Sequence, residues 1–315
     1  VKSLPRLLVL ALILSGVAGG AWYATRGTAP ERRNLDALVT VGGDVVHDAG
    51  RPILDLTRLS TAEEMELGRA IDAEIRARAH ALSDPAIEAY VQAVLRQVAA
   101  HAARTDIRYS VAVLDSSEVQ ASAVAGGHLY VTAGMLAFIH DEAELAAVLG
   151  HEVSHVELGH CVRALQIEQA ARRIAPDLAG LARLGYELME RGFSEEQELA
   201  ADAGGALLSA KAEYDPWRAN TLFARFLERD ETGARKPGRN PIRIAVLALP
   251  DAIGRYLATH PPADQRIEAV RRVLLSREEI WKGVPRYIGA ANLAVRRCRS
   301  DEALAEEWIT RSRAP

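Results

Sequence analysis

Apolar positions recur three and four residues apart over much of the chain, the spacing of one face of an α-helix. Met65, Leu67, Ile71 and Ile75 form such a stripe, and Thr61-Ala62-Glu63-Glu64 ahead of it reads as a capping box. A second helix is expected from Ser83 or Asp84 to about Ala102, with Pro85 in its first turn and Ile87, Val91, Val94, Leu95 and Val98 as its apolar face. The period then drops to two over Tyr109-Ser110-Val111-Ala112-Val113-Leu114, a strand followed by the turn Asp115-Ser116-Ser117. Gly126-Gly127 leads into a second short strand, His128 to Thr132. Helical spacing resumes at Asp141, which can cap a helix while Glu144 returns the contact, and Leu145, Val148 and Leu149 face the core. Further helices are expected from Ser194 to Ala212, from Trp217 to Leu227 after the break at Tyr214-Asp215-Pro216, and from Ala263 onward. Residues 230–241 are polar and read as a loop, and no internal repeat is present.

The first residues follow a different pattern. Lys2 and Arg6 precede an uncharged stretch from Leu7 to Thr25 with Trp22 and Tyr23 near its end. A basic start, an apolar middle and small residues afterwards describe a secretory signal. Left uncleaved, residues 7–24 are about long enough to anchor the chain in a bilayer. Residues 1–25 are therefore expected to be a signal peptide or an N-terminal anchor. Residues 26–60, with scattered Pro and Gly, read as a linker. The expected location is exported: periplasmic, or anchored at the inner membrane with the remainder of the chain outside the cytoplasm. The later apolar stretch Ile242 to Leu257 is interrupted by Arg243, Asp251 and Arg255, so no second span is expected.

Composition narrows the class. Of 315 residues, 49% are hydrophobic and 25% charged, ordinary for a globular protein, while few aromatics and much alanine favour helices packed through small residues. A net charge of −4, without a basic and aromatic stripe, gives no reason to expect a nucleic-acid partner. The two cysteines, Cys161 and Cys298, have no zinc-thiolate spacing; they are read as two buried thiols, with a disulfide left open.

The candidate chemistry lies in His151-Glu152-Val153-Ser154-His155. On a helix, residues four apart share a face, so both imidazoles can point at one ion. Glu152 lies on nearly the same side and can act as general base on a metal-activated water, then return the proton to the leaving amine. A catalytic zinc needs a third protein ligand. The acidic run Glu195, Glu196 and Glu198 offers three candidates on a second helix. Asp202, one turn beyond Glu198, can accept a hydrogen bond from a ligand imidazole. His160, five residues after His155, is rotated away on a continuous helix and is read as structural.

These residues resemble the HtpX/BepA-like gluzincins, metallopeptidase family forty-eight, which also includes the type-1 CAAX prenyl proteases. The similar stretches are Gly126-Gly127-His128-Leu129-Tyr130-Val131-Thr132-Ala133-Gly134-Met135-Leu136, Glu144 to Gly150 with the HExxH motif, Glu198 to Asp202, and His260-Pro261 followed by Arg266. The resemblance implies Glu198 as third zinc ligand beside His151 and His155, Asp202 behind the ligands, and His260 as donor to the oxyanion of the tetrahedral intermediate. It also implies that an extended substrate is laid on the Gly126, Gly127, His128, Leu129 strand. Arg266 is read as positioning that late loop or lying on the surface. Two departures stand out: Gln120-Ala121 where the family commonly has Asn-Ala, and Ala125-Gly126-Gly127 where it has Pro-Gly-Gly.

The expected fold is α+β, mainly α-helical, a gluzincin metallopeptidase domain over residues 61–275 with a small β-sheet and a C-terminal helical extension over 276–315. The expected function is that of a zinc-dependent metalloendopeptidase with one Zn2+ per chain, acting on protein or peptide substrates. The resemblance points to unfolded envelope proteins and quality control. A non-catalytic module that kept the zinc helix as structure would be favoured by loss of Glu152 or Glu198, and both are present.

Overall fold

The first described helix begins one residue earlier than its sequence suggests. In the computed structural model, which describes residues 59–172, 192–233 and 260–315, helix α1 spans Thr61–Arg78 and is capped by Ser60. The Ser60 hydroxyl accepts from the Glu63 N–H, and the Glu63 carboxylate accepts from the Ser60 N–H at 2.7 Å. Shifting the box from Thr61 to Ser60 frees Glu64, which is buried and paired with Arg104 at 2.7 Å. The expected signal or anchor, nearly all of the linker, and the stretch near Ile242 lie outside the described residues.

Helix α2 (Pro85–Ala99) starts as expected, with the Asp84 carboxylate accepting from the N–H groups of Ala86 and Ile87. Its Val91, Val94, Leu95 and Val98 are fully buried, each contributing about 1.5–3 kcal/mol on transfer from water.

Strands β1 (Ser110–Leu114), β2 (Ala121–Val124) and β3 (His128–Thr132) form one sheet in the order β1-β3-β2. β3 runs parallel to β1, Ser110 opposite His128, and antiparallel to β2, Val124 opposite His128. Both edges of β3 are therefore filled. This overturns the expectation that Gly126, Gly127, His128 and Leu129 form a substrate edge, because a backbone already bonded on both sides cannot take another strand. The edge strand of this sheet next to the site is β2, an Ala-Ser-Ala-Val stretch with weak strand propensity that the sequence pattern did not reveal.

Gly126 and Gly127 instead form a tight turn with φ of 78° and 83°. That turn packs on α1, where a Cβ on Gly68 would meet the Ala125 carbonyl oxygen at 2.3 Å. Only glycine reaches such φ values without strain.

A short helix α3 (Ala133–Phe138) leads to α4 (Glu142–Glu157), whose side chains from Glu142 to Val156 are all buried. The Asp141 carboxylate caps α4 by accepting from Glu144 N–H at 2.9 Å. The Glu144 carboxylate returns to the His140 N–H rather than to Asp141, and also pairs with Arg225. Helix α5 (His160–Arg172) follows a break at Leu158-Gly159. Helix α6 (Glu195–Lys211) carries a Ser194/Gln197 capping box and makes its main contact with α4. Helix α7 (Arg218–Gly233) continues through Asp230–Gly233, where a loop was expected; the rest of that loop lies outside the described residues. Helix α8 spans Ala263–Leu275.

Residues 276–315 differ from the helical extension expected. They hold a two-stranded ribbon, β4 (Pro285–Tyr287) against β5 (Trp308–Thr310), and one six-residue helix, α9 (Ala290–Val295). They are also part of the same compact unit, Arg58–Pro315. The carbonyls of Gly289 and Ile288 accept from the N–H groups of Glu142 and Ala143 at 3.1 and 2.9 Å. The C-terminal segment thus satisfies first-turn amides of α4 that no helix can satisfy internally. Among the described residues no helix is long and apolar enough to cross a membrane.

Candidate metal centre

Helix α4 sets His151 and His155 one turn apart on one face, with their Nε2 atoms 3.0 Å from each other. Helix α6 brings Glu198 to the same point. Its Oε2 lies 3.5 Å from His151 Nε2 and its Oε1 3.6 Å from His155 Nε2. One ligand atom from each of the three lies within 4.8 Å of the others, and all three side chains are buried. Two ligands at about 2.0–2.1 Å on a tetrahedral ion sit roughly 3.3 Å apart, so this spacing suits zinc. Among the described residues no well-formed hydrogen bond reaches the buried Glu198 Oε2, the nearest imidazole nitrogens standing 3.5 Å away. Such an atom is costly to bury, and a cation at the focus of the three residues would satisfy it.

The supports behind the ligands differ. His151 Nδ1 faces Asp202 Oδ1 at 2.8 Å. With the proton on Nδ1, Nε2 keeps its lone pair toward the ion. Arg266, 1% exposed, grips Asp202 in a fork, Nε donating to Oδ2 at 2.8 Å and Nη2 to Oδ1 at 2.6 Å, while its guanidinium lies 4.2 Å over Phe223. Burial would raise the Asp202 pKa, but Arg266 and His151 outweigh it and hold the carboxyl at about 2. Arg266 is therefore not a surface residue. Nothing in its local sequence signals that, because its partner is 64 positions away.

His155 Nδ1 faces His160 Nδ1 at 3.0 Å, and the Phe193 ring stacks on His155 at 4.1 Å and 20°. The reading of His160 as rotated away assumed one continuous helix. The signal against it was Gly159, a residue that commonly ends a helix in the left-handed conformation and here has φ of 69°.

Glu152, 4% exposed, sits beside the three-residue group, and burial pushes its carboxyl up to about 7. His260 approaches from the other side, its Nε2 3.5 Å from Glu198 Oε2 and its ring centroid 6.1 Å from that of His151. A cavity of about 20 Å³, near the size of one water, abuts His151, Glu152 and His260, with Ala121, Leu222 and Phe223 among its walls. Ala121 also borders a wider groove of about 260 Å³ that holds Gln120, Ser122 and Thr132. Cys161 and Cys298 are both buried free thiols.

A His-Glu-x-x-His helix completed by a glutamate from a second helix is the ligand arrangement of a gluzincin-type metallopeptidase. The chain belongs to peptidase family M48, whose family model matches residues 85–274. It is similar to the beta-barrel assembly-enhancing protease of Escherichia coli K12, 23% identical over 276 residues, covering 79% of this chain and 53% of that protein. It is also similar to the mitochondrial metalloendopeptidase OMA1 of Schizosaccharomyces pombe, 28% identical over 195 residues, covering 59% and 52%. The chain spans about half the length of these curated relatives.

Proposed function

We propose that the chain is a zinc-dependent metalloendopeptidase with His151, His155 and Glu198 as ligands and Glu152 as general base. The observation that carries this is the buried convergence of those three residues, with the buried carboxyl of Glu152 lining the same cavity as His151. Bound zinc would supply Lewis acidity toward the attacking water and the scissile carbonyl. Glu152 takes a proton from that water and delivers it to the leaving amine, for which a pKa near neutrality is suited. His260 donates from its ring to the oxyanion that develops on the carbonyl oxygen. Asp202, clamped by Arg266, holds His151 in the ligating tautomer.

The substrate is an extended protein segment laid along the outer edge of β2. Thr132 N–H donates to the Gln120 carbonyl, so alternation turns Ser122 and Val124 toward β3; on the outer edge the Ala123 carbonyl already accepts from the Cys161 thiol at 3.6 Å, which leaves the backbone groups of Ala121 and the Ala123 N–H to meet a substrate. Ala121 lining both cavities supports a path along that edge. The resemblance to the beta-barrel assembly-enhancing protease supports unfolded envelope proteins as substrates and quality control as the role. The apolar run within residues 7–24 supports an exported protein, periplasmic or held at the inner membrane.

The test compares the parent with Glu152→Gln for zinc content and for cleavage of casein. The expected result is one zinc per chain in both, and a drop in turnover on the order of 10²–10⁴ in the variant. Equal cleavage by the two proteins would sink the mechanism.

A further inference from the structure

His151 is backed by a carboxylate locked in an ion pair, whereas the outer nitrogen of His155 meets another imidazole. We propose that His160 is a positioning residue for the metal site. Its Nδ1 accepts the Nδ1–H of His155 and fixes the tautomer and ring orientation in which His155 turns Nε2 toward Glu198. The inference rests on the reading of His151, His155 and Glu198 as metal ligands.

The two Nδ1 atoms are 3.0 Å apart. Two lone pairs, or two N–H groups, would repel at that distance, so one nitrogen carries the proton and the other accepts it. His155 Nε2 lies 3.0 Å from His151 Nε2 and 3.6 Å from Glu198 Oε1, at the point where a ligand lone pair is needed. A neutral imidazole has one N–H, and with Nε2 free that proton sits on Nδ1. His160 Nδ1 is then the acceptor, and its own proton lies on Nε2.

The backbone delivers His160 to this position by a break. On an unbroken helix, five residues would turn the side chain about 140° away from His155. Helix α4 ends at Glu157, Gly159 takes φ of 69°, and His160 opens α5 pointing back at the site. Phe193, arriving with the N-terminal end of α6, covers the pair. It stacks on His155 and lies 5.9 Å from the His160 ring centroid, tilted at 48°. His160 is only 5% exposed, so little water competes for the contact. A bond between neutral partners in such a site is stronger than in solvent, and its loss leaves a buried N–H unsatisfied.

The experiment uses the full chain as parent, His160→Phe and His160→Asn. Phenylalanine keeps the ring and removes the acceptor; asparagine can place an amide oxygen near the position of Nδ1. Zinc dissociation constants are measured by competition with a chelator, with thermal midpoints of the zinc-free proteins alongside. Side-chain 1H–15N spectra follow the His155 Nδ1 proton. His160→Phe is expected to weaken zinc binding roughly 10–100-fold with a zinc-free midpoint near the parent's, and His160→Asn to recover most of that loss. The parent should show a slowly exchanging His155 Nδ1 proton that His160→Phe lacks. Zinc affinity of His160→Phe within about twofold of the parent would overturn the proposal, as would His160→Asn binding as weakly as His160→Phe. A parent that takes up no zinc would overturn the metal reading itself, and this inference with it; tight binding by the parent and an unchanged variant would overturn this inference alone.

Discussion

Gly150 and Gly205 lie backbone against backbone where α4 crosses α6. A Cβ on Gly205 would stand 2.5 Å from the amide nitrogen of His151, and one on Gly150 would stand 2.8 Å from the Gly205 carbonyl oxygen. The crossing that joins the HExxH helix to the helix of Glu198 and Asp202 depends on that missing carbon. Gly205→Ala should force the helices apart, since backbone cannot yield as a flexible side chain does. The expected cost is about 2–3 kcal/mol of stability, read by urea denaturation, with weakened zinc binding. An unchanged midpoint would show that the crossing has slack.

Asp202→Asn keeps a hydrogen-bond acceptor for His151 but leaves the buried Arg266 guanidinium without its counter-charge. Zinc affinity should fall roughly 10–100-fold, measured by chelator competition. Stability should fall as well, because a buried cation loses this carboxylate.

Glu142 is a different kind of buried acid. Burial raises its pKa; hydrogen bonds from Tyr214 O–H and Arg299 N–H to Oε1 offset this only in part. Tyr90 lies close enough to favour the charged acid slightly, but among the described residues no well-formed hydrogen bond reaches Glu142 Oε2 or the Tyr90 hydroxyl. The folded state therefore favours the protonated acid, and the stability this contributes is present below the unfolded-state pKa. It is lost as pH rises through the raised folded value. Glu142→Gln should accordingly be more stable than the parent at neutral pH, by about 1 kcal/mol, with an amide donor able to meet Tyr90. The gap should narrow on acidification toward the usual carboxyl range. Urea midpoints of both proteins across that window check the sign.

The outer edge of β2 offers a test of substrate placement. Ala121→Pro removes an edge N–H without removing a bond to β3 and sets a ring in the way of an added strand. KM for an extended peptide should rise about tenfold, the equivalent of one hydrogen bond, with zinc content unchanged. An unchanged KM would place the substrate elsewhere.

The sequence by itself determined what depends on short spacings. The pair His151 and His155 follows from the helical repeat, and so does the buried stripe of α2; the starts of α2 and α6 were legible to within a residue or two. The role proposed for Glu152 rests on the same local geometry. Motif order then pointed to Glu198, Asp202 and His260, though only packing brought them to the two imidazoles. Tertiary structure decided the rest. β3 is central because β2, too weak in propensity to be seen in the pattern, pairs with its second edge. His160 reaches His155 because Gly159 redirects the chain, and Arg266 is buried because Asp202 arrives from another helix. The C-terminal ribbon belongs to the domain because the first-turn amides of α4 needed acceptors that only a distant segment could supply. Spacing within one element is fixed by the geometry of its own backbone. A contact between elements is fixed by which groups, once buried, must find each other.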